Sequence, residues 1–203
     1  NIGMDNMRNV PLGFDTTNEL QMVSYFIVFT YKILNIFGDY SVNYAGAFMP
    51  VWVFALTIIA FFFFVREIFS RKDRESKIKG GLIASISTLF MIVIPAFLSR
   101  TVAGIPEKES VAFFFMFLSF FLFLRAWKSE KSVYASILAV LAGISTGLMG
   151  LSWGGVTYAY LTIVLSGFAA VILGKFTKKE IFVYTLWLVS SMILLFTLTN
   201  RFS

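Results

Sequence analysis

Seven runs of mostly apolar residues, at about 20–37, 46–65, 80–99, 110–126, 133–150, 156–174 and 180–199, leave this chain few ways to fold. Roughly twenty such residues are what a helix needs to cross the hydrocarbon core of a bilayer. In water, a chain of 203 residues has too much surface for its volume to bury them all. Hydrophobic residues make up 58% of the sequence, including 25 Phe, against about half in an ordinary soluble domain. Lipid is the solvent these runs suit. Within lipid each backbone N–H and C=O must be paired inside its own segment, so every run is expected to be a helix. No polar linker separates the runs, which predicts one all-α membrane bundle.

Charge orients the bundle. Arg66, Arg71, Lys72, Arg74, Lys77 and Lys79 follow the second run, Arg125, Lys128 and Lys131 the fourth, and Lys175, Lys178 and Lys179 the sixth. These are twelve of the seventeen Lys and Arg. Short loops rich in Lys and Arg stay cytoplasmic. Alternation then puts 38–45, 100–109 and 151–155 on the outer side. Residues 1–19 carry Asp5, Asp15 and Glu19 against Arg8, which suits the same side. The first run would therefore start and end outside, and it contains Lys32. It is expected to lie along the interface as a peripheral helix; the alternative is a seventh span whose Lys32 reaches up to the headgroups. The expected architecture is about six spanning helices plus one outer interfacial helix, divided as a first outer loop over 1–45 and a transmembrane bundle over 46–203. Both ends read as cut from a longer membrane domain.

The sequence has neither Cys nor His. That excludes disulfides, thiolate chemistry and the usual general base near neutral pH. Carboxylates, Lys, Arg, Tyr and backbone remain. They cluster at membrane level in one place, Ser99-Arg100-Thr101-Val102-Ala103-Gly104-Ile105-Pro106-Glu107-Lys108-Glu109-Ser110. Gly104 and Pro106 should break the helix, so the acidic pair comes off a turn into the next span, where the helix dipole favours negative charge. Carboxylate oxygens are the ligands hard divalent cations prefer, and a guanidinium at Arg100 suits a phosphate. The plainer reading is that Glu107 and Glu109 cap a helix and Arg100 anchors one. A second loop, Leu151-Ser152-Trp153-Gly154-Gly155, offers a backbone cradle with non-standard φ at Gly-Gly, or simply a tight turn with an interfacial Trp. Gly143, Gly147 and Gly150 form a stripe that predicts close helix packing rather than a site. Pro50 and Pro95 are expected to be local kinks.

Three of these stretches together resemble a known family. Ser99 to Glu109 resembles the second acidic motif of the oligosaccharyltransferase catalytic subunit, Ser-Arg-(Ser/Thr)-x-(Ala/Ser)-Gly-x-x-Asp-x-(Asp/Glu). Val10-Pro11-Leu12-Gly13 resembles that family's Y-P-L-G stretch, and Trp153-Gly154-Gly155 its W-G-G turn, in the same order and on the same expected face. The resemblance, to the archaeal or bacterial type, implies a GT-C fold and transfer of an oligosaccharide from a polyprenyl-phosphate or pyrophosphate carrier to Asn in Asn-x-Ser/Thr sequons. It implies a Mg2+ or Mn2+ cofactor, with Glu107 and Glu109 as metal ligands and Arg100 beside them as catalytic residues. Trp153, Gly154 and Gly155 would line the lipid-linked donor. The implied partners are that donor, an acceptor polypeptide and membrane lipid, with no nucleic acid and no required protein subunit. The implied location is the cell membrane, multi-pass, with the site on the extracytoplasmic face.

This sequence departs from the family pattern at three positions. Glu107 stands where Asp is usual, Lys108 between the acids opposes a divalent cation electrostatically, and Pro106 replaces a frequently aromatic residue. The family's first acid motif, later outer-loop Glu and W-W-D region are not in this sequence, so the piece alone is expected to be inactive. Two other readings stay open. One is another GT-C enzyme using a polyprenyl-phosphate sugar, separated by the absence of a W-W-D segment in its full length. The other is a non-enzymatic polytopic protein such as a transporter, disfavoured because ionisable groups avoid the middle of the spans.

Overall fold

The structure, a computed structural model, describes residues 3–6, 10–15 and 19–198. Arg8 and position 199 lie outside the described residues. A two-residue hairpin of β1 (Met4–Asp5) and β2 (Phe14–Asp15), paired antiparallel, precedes the helices. They are α1 (Met22–Leu34), α2 (Val42–Phe69), α3 (Arg74–Val93), α4 (Pro95–Leu98), α5 (Lys108–Lys128), α6 (Ser132–Ser152), α7 (Val156–Ile172) and α8 (Lys178–Leu198).

The helices begin where the sequence supplies caps. Ser41 Oγ accepts from the Tyr44 N–H at 3.1 Å to start α2, and Asp73 Oδ2 accepts from Ser76 N–H at 2.7 Å to start α3. Such side-chain oxygens satisfy donors that the first helical turn leaves open. The two prolines differ. Pro50 is buried within α2 without ending it, whereas Pro95 opens α4 behind an extended Ile94 (ψ 119°). The residue before a proline is pushed out of the helical region, so a run expected to continue to 99 stops at Val93.

Five helices, α2, α3, α5, α6 and α8, are long and apolar enough to cross a bilayer. α7 has 17 residues, about 26 Å at 1.5 Å per residue. Its neighbours require it to cross. The turn before it sits at the α5 start, where Trp153 meets Phe113, and the helix after it starts at the α5 end, where Lys179 Nζ donates to Trp127 O at 2.7 Å. The result is six crossings in an up-down bundle, a multi-pass membrane architecture. The three basic turns share one end: Lys72 of the α2–α3 turn pairs with Glu130 of the α5–α6 turn. The turns 99–107 and 153–155 share the other.

α1 does not cross. Its 13 residues reach about 20 Å, short of the roughly 30 Å core. It packs on α2 around Gly46, Met49 and Val53, on the first turns of α5 and on the end of α6, near the 99–107 end. Phe26 stacks on Trp52 (centroids 5.5 Å) and sets its edge to Phe115 at 5.9 Å. Thr30 Oγ1 accepts from Trp52 Nε1 at 3.0 Å. Lys32 stands exposed in the last turn, where a cation suits the helix dipole. α1 is thus an apolar helix too short to span, packed against the 99–107 end of the bundle.

The glycine stripe of α6 does what its spacing predicts. A Cβ on Gly143 would lie 2.4 Å from Trp187 O, and one on Gly147 2.8 Å from Leu194 Cδ2, so α8 packs directly on the α6 backbone. Polar groups buried at this core find partners across helices. Thr146 Oγ1 accepts from Trp187 Nε1 at 2.9 Å and lies 2.6 Å from Ser119 Oγ, while Tyr160 OH donates to Ser191 Oγ at 2.9 Å. Each such bond between membrane helices contributes roughly 0.6–2 kcal/mol. The opposite face of the molecule, along α3, exposes Leu82, Ile86, Leu89 and Phe90, as a lipid-facing surface does.

Candidate functional site

The loop between α4 and α5 is built by its own residues. α4 lasts one turn, after which Thr101, only 6% exposed, turns its hydroxyl back to Phe97 O at 3.1 Å. Gly104 takes φ +93°, a region that favours glycine, and its N–H donates to Ala47 O at 2.9 Å. This bond seats the loop on the first turns of α2. Pro106 follows, and Glu107 occupies the N-cap position of α5 with extended backbone. The buried Ser110 hydroxyl donates to Glu107 O at 2.7 Å, closing the first turn.

The reversal of the chain brings Arg100 and Glu107 together: Arg100 Nη1 donates to Glu107 Oε2 at 2.9 Å. The Glu107 side chain makes no capping bond; it turns to the guanidinium instead of the helix end. Glu107's hydrogen bond, then its charge and that of Glu109, raise Arg100 above its ordinary range, so the guanidinium stays charged at any working pH. Both carboxylates therefore lie within electrostatic reach of one cation. Lys108, between them in sequence, turns away and donates its Nζ to Glu19 Oε1 at 2.9 Å. The pairing answers the electrostatic objection to this lysine, whose charge goes to Glu19. It also ties the segment leading into α1 to the acidic loop. Nothing in the spacing of Glu19 and Lys108, 89 residues apart, announces this contact.

The second loop departs from expectation. Gly155 has φ −70°, so it does not use a left-handed backbone here. The glycine is needed for space: a Cβ on Gly155 would lie 2.1 Å from Trp153 Cζ3, because the indole folds back over the turn. Trp153 packs edge-on to Phe113 (6.2 Å) and beside Tyr158 (6.0 Å), and Phe113 in turn meets Phe97 of α4 at 5.5 Å. An aromatic chain thus joins Trp153 to the base of the Arg100–Glu107 loop. Gly155 is buried and Gly154 exposed. The Val10-Pro11-Leu12-Gly13 stretch leads directly into β2; Gly13 turns at φ +74°, while Val10 and Leu12 are exposed.

The loop offers hard oxygen donors in water at the membrane edge, the ligand type a hard divalent cation takes. Among the described residues no group of three or more His, Cys, Asp or Glu gathers anywhere. A cation here would draw two carboxylates from this loop and the rest of its shell from water or other segments.

These features define a class: a polytopic helical membrane protein with an arginine-held acidic loop and an aromatic turn at one end of the bundle. The chain matches the family described as oligosaccharyl transferase STT3, N-terminal, over residues 11–202, and it belongs to that family. The STT3 subunit of the dolichyl-diphosphooligosaccharide–protein glycosyltransferase of Saccharomyces cerevisiae is 27% identical over 111 residues, 55% of this chain and 15% of the relative. Its Caenorhabditis elegans counterpart is 28% identical over 130 residues, 64% of this chain and 15% of the relative. The Archaeoglobus fulgidus oligosaccharyltransferase in complex with Zn and sulfate superposes with a TM-score of 0.73 at 25% identity, over 94% of this chain and 24% of that one. The same enzyme tethered to an acceptor peptide containing the NVT sequon gives 0.72 at 25% identity, over 94% and 23%. The superposition puts this bundle in the GT-C oligosaccharyltransferase fold, and the chain spans about a quarter of those solved chains.

Proposed function

We propose that this chain is the N-terminal membrane part of an oligosaccharyltransferase catalytic subunit, which transfers an oligosaccharide from a polyprenyl-linked phosphate or pyrophosphate carrier to Asn in Asn-x-Ser/Thr sequons. The carrying observation is the Arg100–Glu107 pair at 2.9 Å, in a chain matching the STT3 family over residues 11–202. In this reading residues 1–45 are a first outer loop, 46–203 the start of the transmembrane bundle, and the 99–107 end faces outside the cell membrane.

Glu107 and Glu109 would hold Mg2+ or Mn2+, whose charge, when bound, stabilises the leaving phosphate. The residues of the chain do the positioning. Arg100 holds the Glu107 carboxylate in one orientation, and its remaining N–H groups can face a phosphate oxygen. Lys108 is drawn aside by Glu19, which leaves Arg100 as the cation beside the two carboxylates. Trp153, kept flat over Gly155 and braced by Phe113, gives the lipid-linked donor a rigid apolar wall beside Gly154 and Gly155.

The test is transfer from a lipid-linked oligosaccharide to an acceptor peptide by the full-length protein. Glu107→Gln is expected to reduce turnover on the order of a thousandfold, the scale of several kcal/mol of lost charge stabilisation. Glu107→Asp, which restores the shorter acid usual in the family, is expected to retain transfer. Unchanged turnover in Glu107→Gln would remove Glu107 from the site.

A further inference from the structure

The basic end of the bundle holds a cleft of about 1190 Å³ between the end of α2, the α2–α3 turn, the end of α5 and the start of α6. Six cations and one carboxylate, Glu67, line it. Three of the cations are spent on the protein. Lys128 Nζ donates to Ser70 O at 3.1 Å and to Glu67 O, capping α2; Arg125 donates to Tyr134 OH at 3.0 Å and lies 3.7 Å from Glu67; Lys72 pairs with Glu130. The Lys72 hydrogen bond lowers the Glu130 carboxyl below its usual range, which keeps that pair charged. Arg66, Arg71 and Lys77 have no acidic partner among the described residues. Topology explains why cations sit at this end. It does not explain why three of them converge unpaired on one concave surface.

The depth of the cleft indicates its occupant. α2 runs 28 residues, about 42 Å, against a hydrocarbon core of roughly 30 Å. Its last turns, with Arg66, therefore stand at headgroup level. Phe63 and Phe121 form the floor about one turn deeper, where acyl chains begin. Ile68 separates the cleft from an apolar crevice of about 290 Å³ lined by Phe64, Phe120, Leu124 and Gly167. A cationic rim above an apolar floor, with an apolar slot alongside, matches an amphiphile with an anionic head.

We propose that this cleft binds the headgroup of an anionic glycerophospholipid from the leaflet at the basic end. Arg66, Arg71 and Lys77 contact the phosphate, the Phe63 and Phe121 rings take the glycerol and first methylenes, and one chain enters the crevice past Ile68. The site lies at the end of the bundle opposite the acidic loop and does not depend on the glycosyl-transfer reading.

The experiment places the purified protein in phosphatidylcholine nanodiscs containing a minor fraction of phosphatidylglycerol and counts retained lipid by native mass spectrometry. Preferential retention of phosphatidylglycerol is expected. The triple change R66Q/R71Q/K77Q should lower that retention at least about tenfold, since each cation near an anionic surface contributes severalfold. The charge-preserving R66K/R71K/K77R should keep it. R71Q alone, at an exposed turn position that leaves the helices intact, should lower it severalfold. The matched change R74Q/K175Q/K178Q, at the same end but outside the cleft, should leave it unchanged. Equal retention of phosphatidylcholine, or an equal loss in the matched variant, would overturn the site in favour of general surface attraction. Displacement of the lipid by soluble glycerol phosphate would overturn the lipid as its occupant.

Discussion

The two ends of the bundle use charge in opposite ways. At the basic end, twelve cations are spread over three turns, most of them exposed, and those that are held cap helix ends or make solvent-exposed pairs such as Lys72–Glu130. At the other end the described charges are few. The two basic residues of the acidic loop are both committed, Arg100 to Glu107 and Lys108 to Glu19, at 2.9 Å each and across turns or between distant segments. Abundance sets topology, because the cost of moving each cation across the bilayer adds up whatever its partner. Pairing fixes the orientation of individual side chains, so at the sparse end both loop cations are held in one geometry, whereas at the basic end Arg66, Arg71 and Lys77 are left facing the cleft.

The two ends can be told apart by labelling. The chain has no cysteine, so single cysteines report without background. Ile105→Cys at one end and Lys131→Cys at the other are expected to react with a membrane-impermeant maleimide from opposite sides, all or none. Labelling of both from one side would dissolve the distinction.

The next effect concerns what holds the ends in register. Gly143→Ala would put a methyl 2.4 Å from the Trp187 carbonyl, which cannot rotate away as Ser190 can. Overpacking of this kind costs about 1–3 kcal/mol, read as a lower unfolding temperature in detergent. An unchanged midpoint would mean that α6 and α8 are not in close backbone contact.

Smaller effects separate paired from merely adjacent charges. A double-mutant cycle on Glu19→Gln and Lys108→Gln should give a coupling below about 1 kcal/mol, since both side chains are partly exposed. Hydrogen exchange should rise in the segment before α1, which that pair tethers. The same cycle on Lys72→Gln and Glu130→Gln, at 83% and 77% exposure, should give a coupling near zero. Equal couplings would erase the contrast drawn above.

Much of the architecture was legible in the residues. Each of the seven apolar runs is mainly helical, the Lys32-containing run is too short to span, and Gly143, Gly147 and Gly150 mark the α6–α8 contact. These follow from local rules: twenty apolar residues span, cations stay on one side, and small residues let helices approach. The turn at Gly104 and Pro106 that delivers Glu107 to the start of α5 was also readable, whereas the Arg100–Glu107 pairing came only with the structure. The division at Pro95 was not, because an apolar run gives no sign of whether a proline kinks or stops it. Neither was the Thr146, Ser119 and Trp187 cluster, whose members lie on three helices.

The sequence by itself determined that this chain spans a membrane, how often, and which turns share a side, since each follows from the transfer energy of residues taken in order. Only the tertiary structure decided where the long side chains go. Lys108 reaches Glu19, Trp153 folds over Gly155, and three cations are left facing a cleft. Those outcomes depend on which distant groups packing places within hydrogen-bond reach, and a linear order of residues carries no such distances.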